Sequence, residues 1–159
     1  MDLHKNIEET VGFLIGTWRG EGVGKYPTIE IFEYEEELTF VALPKKPILF
    51  YTQKTWKKSD KTPLHVESGY IRIPKDNIVE LVNSQPTGMT EVLEGFVKDK
   101  EITLESTNIS RCSFAKQPHV LKTKRIFSLK NEKLEEIVEM STTNTEKLQN
   151  HLTAILTKV

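Results

Sequence analysis

Ten short segments rich in β-branched and aromatic residues run from Trp18 to the C-terminus, separated by prolines, glycines and polar turns. They cover residues 18–24, 28–41, 48–58, 65–73, 77–85, 89–99, 101–107, 119–129, 133–142 and 152–159. The connections are mostly as short as antiparallel neighbours require. Ten antiparallel strands with a helix at one end predict an all-β fold, a closed up-and-down barrel, because closure leaves no strand edge unpaired. A barrel of this size leaves an interior cavity for a small ligand.

The residues before the first strand have helical periodicity. Ile7, Val11 and Leu14 fall on one stripe, and Gly16 is a natural stop. This pattern predicts one amphipathic helix over residues 3–15.

Length and charge limit the class of protein. The chain has 159 residues, which predicts a single domain over 1–159. With 22 basic and 23 acidic residues, it lacks the basic excess that nucleic-acid binders need. The starting Met1 and the clean ends favour a complete protein.

The compartment is indicated by what the chain does not contain. Cys112 is the one cysteine, so an intrachain disulfide is impossible and a reducing compartment is indicated. The N-terminus lacks the apolar stretch of a signal peptide, and no run is long enough to cross a membrane. These features predict a cytoplasmic protein, with the nucleus also accessible by diffusion, and no membrane partner.

The glycine-rich string GEGVGK (20–25) invites comparison with a phosphate-binding loop. The spacing does not match such a loop, Tyr26 follows the lysine, and no helix follows. The glycines are better explained by close backbone packing beside one barrel end.

Three of the four histidines have ordinary explanations. His4 lies in the predicted helix and His119 at the start of a strand, where both are expected at the surface or the rim. His65 shares a strand face with Glu67, but a zinc site there needs a third protein ligand that the sequence does not offer.

His151 stands at the head of the last apolar segment. It shares one strand face with Thr153 and Ile155, and alternation alone does not decide whether that face points inward. A lone histidine at the mouth of an apolar cavity fits the proximal ligand of a haem, whose apolar faces the cavity would bury. It also fits a hydrogen-bonded histidine at the rim, so both interpretations stay open.

A resemblance covers nearly the whole chain. A Gly-x-Trp motif after a helix, at the opening of a barrel, resembles the lipocalin and fatty-acid-binding superfamily. The fuller string GTWRGEGVGKYPTI (16–29) resembles the nitrobindin family of cytosolic ten-stranded haem barrels. Further matching strings follow in order: YTQKTW (51–56), HVESGYIR (65–72), QPTGMTEVLEG (85–95), SFAKQPHV (113–120), MSTTN (140–144) and NHLTAILTKV (150–159).

The resemblance implies roles for particular residues. It makes His151 the proximal haem-iron ligand and gives His65, the pocket histidine, an assisting catalytic role. Further cofactor-binding residues that it implies are Thr28, Leu64, Gln85 and Met140. Its glycine–tryptophan motif falls on Gly16, Trp18, Gly20 and Gly22. One departure is that the loop TNTEKLQN before His151 lacks a proline and is one residue longer than the family pattern.

The activity implied by the resemblance is that of a peroxynitrite isomerase. The protein would hold ferric haem b, bind nitric oxide and convert peroxynitrite to nitrate; a homodimer is compatible with the sequence. One alternative is a non-catalytic carrier of a small apolar ligand, although the last strand lacks the Arg-x-Tyr pair with which fatty-acid carriers hold a carboxylate. Another is an interaction module that no longer binds a ligand.

Overall fold

The computed structural model describes residues 2–159 and contains ten strands that close into one barrel. The strands are β1 (Gly16–Tyr26), β2 (Ile29–Ala42), β3 (Ile48–Lys57), β4 (Pro63–Arg72), β5 (Ile78–Gln85), β6 (Met89–Lys98), β7 (Glu101–Arg111), β8 (Val120–Lys130), β9 (Lys133–Thr142) and β10 (Thr145–Lys158). Each pairs antiparallel with the next in the chain, and β10 pairs with β1. The predicted ten-stranded up-and-down barrel with a short N-terminal helix is confirmed.

The N-terminal segment is less regular than the single helix predicted over 3–15, and that prediction is wrong in extent. An α-helix, α1, spans Lys5–Glu9, and a separate 3-10 turn spans Gly12–Leu14. The β-branched pair Thr10 and Val11, followed by a glycine, propagates a helix poorly and breaks it here. His4 does not lie in the helix but caps it, because its Nδ1 accepts a hydrogen bond from the Asn6 amide.

The apolar stripe of this segment was predicted correctly. Ile7, Val11 and Leu14 are all fully buried and join the core at one end of the barrel. Trp18 lies beside them, and its indole Nε1 donates a hydrogen bond of 2.7 Å to the Leu14 carbonyl. The segment therefore closes this end of the barrel, which we call the closed end. Within residues 2–159, no helix has both the length and the apolar character that crossing a membrane requires.

The last strand is longer than predicted. It was expected over 152–159 after a loop, but β10 begins at Thr145, so TNTEKLQN is mostly strand. The ladder with β9 is irregular between Thr145 and Gln149 and again between Asn150 and Leu152. The extra length is therefore absorbed as bulges within the sheet rather than as a loop.

The glycines of β1 make room for aromatic side chains of β2. A Cβ at Gly22 would collide with the ring of Tyr34, and a Cβ at Gly24 would collide with the ring of Phe32. These glycines lie opposite the same aromatic residues in the β1–β2 ladder. Residues 20–25 are thus continuous strand, which confirms that the string is not a phosphate loop.

The barrel interior changes character along its axis. At the closed end it is an apolar core that includes Leu38, Phe40, Leu49, Ile71 and Phe127. Midway lies a layer of buried polar and charged side chains, which we call the polar floor: Glu36, Gln53, Glu67, Glu91, Arg125 and Glu136. Above this floor the barrel opens at its mouth.

Candidate functional site

A cavity of about 230 Å³ lies between the polar floor and the open end of the barrel, and we call it the mouth cavity. His151, His65, Leu64, Gln85 and Met140 all line it. The structure therefore brings together five residues that the sequence assigned to one site, although they come from four different strands. Their roles toward a haem stay predictions.

The irregularity in β10 directs His151 towards the cavity. Asn150 pairs with Glu139 and Leu152 with Val138, so His151 is an extra residue between two paired positions. Simple alternation from the cavity-lining Leu152 would point His151 outward. The bulge instead allows neighbouring residues of one strand to line the same cavity, a recognised use of bulges near functional sites.

The imidazole of His151 is fixed by its neighbours on β1. Its Nδ1 lies 3.1 Å from the Lys25 carbonyl oxygen. Because a carbonyl can only accept, Nδ1 carries the proton in this hydrogen bond, and the neutral ring keeps its lone pair on Nε2. The Tyr26 ring packs edge-on against the imidazole, with ring centres 5.4 Å apart.

The charge state of His151 also suits a ligand to iron. Burial lowers the pKa of His151; its hydrogen bond to Lys25 opposes this effect, and the nearby His65 adds to it. The ring is therefore neutral at neutral pH, and metal ligation requires neutral imidazole.

His65 lies on β4 and faces the same cavity. Its Nε2 is 3.8 Å from Glu67 Oε1, and its side chain is half-buried. No group of three or more His, Cys, Asp or Glu side chains within residues 2–159 is placed to hold a metal ion. His65 and Glu67 thus lack a third partner for zinc in the described chain.

Arg125 organises the polar floor. Its guanidinium contacts Glu67 through two hydrogen bonds of 2.5 and 3.0 Å, and contacts Glu91 at 3.1 Å. Burial by itself would raise the pKa of Glu67, but the charge and hydrogen bonds of Arg125, together with His65, lower it to about 2. Gln85 connects this network to the cavity, donating to Glu91 at 2.6 Å.

Around Glu36 and Glu136, the polar floor has more carboxylates than cations. Gln53 donates to both oxygens of Glu136 at 3.2 Å, whereas the oxygens of Glu36 have no hydrogen-bond partner among residues 2–159. Burial and the nearby Glu136 raise the pKa of Glu36 well above its usual value, and burial raises the pKa of Glu136. A proton held on Glu36 reduces the negative charge that this layer must bury.

Some residues singled out from the sequence lie elsewhere. Thr28 is exposed in the turn between β1 and β2 and is not part of the cavity lining of the described chain, so its contact with haem stays a prediction. Gly16 and Trp18 lie near the closed end, where Gly16 has a positive φ of 125° and Lys158 lies over the Trp18 ring. Gly20 approaches the backbone of Ile155 on β10. This motif supports the barrel rather than lining the site.

Sequence reasoning missed the residues that hold the site in place. Tyr26 and the Lys25 carbonyl gave no separate signal, because their role depends on pairing between the first and last strands. The floor residues did leave a signal: Glu67, Glu91 and Arg125 stand at inward positions, and each shares the inward face of its strand with a buried apolar residue, Ile71, Leu93 or Phe127. A charged residue at an inward position of a barrel strand predicts a buried ion pair or a ligand site.

The site suits a flat apolar cofactor that one histidine would hold. Phe32, Met89, Val138 and Leu152 give the mouth cavity apolar walls, and His151 offers a neutral nitrogen donor from one side. The cavity is below the roughly 300–1,000 Å³ usual for an enclosed ligand, so a porphyrin would extend through the mouth and stay partly exposed. A closed barrel that presents one neutral imidazole at its mouth has the features expected of a haem-binding β-barrel protein.

Comparison with known proteins places the chain within a family of this class. Residues 9–158 match the family model described as THAP4-like, heme-binding beta-barrel domain, and the chain belongs to this family. The nitrobindin resemblance is thereby confirmed.

The named relatives span plants, bacteria and mammals. The chain is 44% identical to a protein of Arabidopsis thaliana named peroxynitrite isomerase Rv2717c, over 94% of this chain and 87% of that protein. It is 40% identical to peroxynitrite isomerase 2 of Mycobacterium avium, over 98% and 96% of the two chains. Against rat peroxynitrite isomerase THAP4 the identity is 40%, over 96% of this chain but 27% of the rat protein.

A solved structure shares the same fold. The crystal structure of Rv2717c from M. tuberculosis superposes with a TM-score of 0.88 at 36% identity, covering 99% of both chains. The barrel described above is therefore also the architecture of that protein over 99% of its chain.

Proposed function

We propose that this protein is a haem-dependent peroxynitrite isomerase that converts peroxynitrite to nitrate. The observation that carries the proposal is His151, a neutral imidazole fixed by Lys25 and Tyr26 and facing an apolar cavity. The family match and the relatives named peroxynitrite isomerase give independent support.

The chain's own residues have clear tasks in such a reaction. His151 would hold the haem iron through Nε2, and the iron would supply Lewis-acid chemistry in the cavity. The isomerisation moves one oxygen within a single ion: an O–O bond breaks and an N–O bond forms, with no electrons gained or lost overall. The apolar cavity walls confine the reacting atoms so that the new bond forms before they separate.

His65 and Gln85 provide polar groups on the wall of the same cavity. His65 is tied to Glu67, and Gln85 is tied to Glu91. Their side chains can donate hydrogen bonds to an oxygen-rich ligand while the polar floor keeps them oriented. We assign them to orienting the ligand.

We further propose that the haem is ferric haem b and that the same site binds nitric oxide. A partly exposed porphyrin with a single neutral imidazole favours the ferric state, because water at the mouth stabilises the additional positive charge. We also propose a cytoplasmic location, which the unpaired and exposed Cys112 supports.

The first test is titration of the apoprotein with ferric haem, followed by absorbance. The native chain is expected to give a sharp Soret band that is lost, or shifted and weakened, in His151→Ala. His4→Ala, which changes a histidine at the closed end, is the matched control and should retain the native band. Stopped-flow decay of peroxynitrite should then be faster with the native haem protein than with His151→Ala.

A native spectrum identical to that of haem in buffer would overturn the proposal. The alternative, a carrier of a small apolar ligand, would then be tested by displacement of a fluorescent fatty acid from the apoprotein. The last strand carries no Arg-x-Tyr pair, so we expect no specific displacement.

A further inference from the structure

A second chamber, of about 690 Å³, opens at the barrel mouth beside the mouth cavity. The two share five lining residues: Leu64, His65, Gln85, Met89 and Val120. We call this second space the entrance chamber. A ligand that approaches from the side of β4 to β8 passes through it before reaching the cavity.

The lining of the entrance chamber includes four basic side chains and, within residues 2–159, no aspartate or glutamate. Arg111, Lys116 and His119 stand on its outer wall, and His65 lies where it meets the mouth cavity. This local excess contrasts with a chain whose net charge is −1. It also contrasts with the polar floor, where three carboxylates surround a single arginine.

These basic groups are not used in ion pairs of the described chain. None of the ion pairs formed among residues 2–159 involves Arg111, Lys116 or His119. Arg111 Nη2 donates to the Val120 carbonyl, which fixes the guanidinium at the chamber wall. Its Nε is buried and has no partner in the described chain, so this cation keeps an unused donor.

We propose that the entrance chamber is an anion-binding site that concentrates a small oxoanion at the opening of the mouth cavity. The inference rests on the proposed function, because ionised peroxynitrite and its product nitrate are both small oxoanions. Cationic walls in a concave site focus the electric field and raise association rates by roughly 10- to 1,000-fold. The propionates of a haem share the same carboxylate chemistry, so the test must separate the two sources.

The first arm uses the apoprotein and nitrate. Histidine-ring NMR signals are followed during nitrate titration of the native chain, Lys116→Gln, Arg111→Gln and Lys75→Gln. Lys75 is an exposed lysine in the turn between β4 and β5 at the closed end, so its variant is the charge-matched control. We expect nitrate to shift the His119 signal in the native chain and Lys75→Gln, and the apparent Kd to rise at least about three-fold in Lys116→Gln.

The second arm uses the haem-loaded protein and two ligands of different charge. Azide is an anion at neutral pH and nitric oxide is neutral, and the association of each with the haem is followed by stopped flow. Azide association should slow in Lys116→Gln and Arg111→Gln, and the difference from native should shrink as salt screens the charges. Nitric oxide association should be unchanged.

A third measurement tests the propionates. Faster transfer of haem from Lys116→Gln and Arg111→Gln to an acceptor apoprotein, with nitrate and azide binding unchanged, would assign the chamber to the haem carboxylates and overturn the free-oxoanion proposal. Equal behaviour of Lys116→Gln and Lys75→Gln in both anion arms would overturn it as well. Lys116 is exposed, so its variant remains informative if Arg111→Gln fails to fold.

The outcomes for this proposal and for the proposed function are separable. An apoprotein that binds nitrate at the chamber but gives no Soret band with haem would overturn the haem function and leave the anion site standing. A haem protein with a normal Soret band and no charge dependence of azide association would support the haem function and overturn the anion site.

Discussion

Tyr26 constrains His151 and does not itself line the mouth cavity. Its ring packs edge-on against the imidazole, and its hydroxyl donates a hydrogen bond of 3.0 Å to the Met140 carbonyl on β9. The tyrosine therefore links the first strand, the ninth strand and the candidate iron ligand. Residues that orient a metal-binding histidine matter nearly as much as the histidine itself.

We predict that Tyr26→Leu weakens haem binding while the barrel remains folded. Without the ring the imidazole can rotate, and loss of such a neighbour typically costs about 10- to 100-fold in affinity for a metal centre. The measurement is the rate of haem transfer to an acceptor apoprotein, expected to rise about 10-fold. Tyr70→Leu, an exposed tyrosine on the outer face, is the control. Equal transfer rates for the two variants would show that Tyr26 does not position His151.

At the scale of the strand, the bulge in β10 decides where His151 points. Deleting Asn150 should restore a regular ladder, because Leu152 can keep its pairing with Val138 while His151 takes the place opposite Glu139. His151 would then alternate away from Leu152 and face outward. We predict that the deletion abolishes the Soret shift but leaves a β-barrel circular dichroism spectrum.

Asn150→Ala is the control for the deletion, because it removes the same side chain and keeps the chain length. It should bind haem as the native protein does. A normal Soret band in the deletion variant would mean that the bulge can be shifted along the strand and does not set the direction of His151.

The strands could be predicted from the sequence, and the geometry of the site only in part. Alternation and turn residues identified all ten strands, because both depend on local chemistry. The bulge at His151 could not be located, because an extra residue is defined only against the partner strand. The break in the N-terminal helix was missed because the stripe of Ile7, Val11 and Leu14 persists across it.

The same division holds for the candidate site. His151, His65 and Gln85 were found because the resemblance marks them, and the structure places all three on one cavity. The ion pairs of Arg125 could not be found, because its partners lie 34 and 58 residues away along the chain. Contacts of such separation follow from barrel closure and register rather than from local pattern.

At the scale of the whole molecule, the polar floor makes stability depend on pH in two directions. Burial and the nearby Glu136 raise the pKa of Glu36 above its usual 4.5, and Gln53 and Arg125 oppose this shift. Tyr34 also lies close to Glu36. The native state therefore holds a proton that the unfolded chain has already released. Stability from this group is present at low pH and is lost as pH rises above 4.5.

We predict that Glu36→Gln is more thermostable than the native protein at alkaline pH. Glutamine has no proton to lose, so the difference in Tm should widen between about pH 5 and pH 8 and reach about 3 °C or more. The measurement is thermal unfolding of the apoprotein across this range. Glu30→Gln, an exposed glutamate on the same strand, should show no such widening. A constant difference in Tm would mean that Glu36 is ionised throughout.

Glu67 makes the stability of the folded protein depend on pH in the opposite direction. Its folded-state pKa is about 2 because of Arg125, so it contributes stability above its usual value of 4.5 that is lost as pH falls towards 2. Native stability should therefore decline on both sides of an intermediate pH.

The position of the polar floor separates the barrel into two parts with different tolerance of change. Below it, the apolar core and the N-terminal segment hold the strands in register. Above it, Leu64 and Met140 line the cavity without belonging to that core, so they can be exchanged for other side chains at little cost to folding. Such a barrel can acquire a new ligand through changes at its open end while the core at the closed end stays constant. Related chains with the same fold can therefore diverge in chemistry through a handful of positions at the rim.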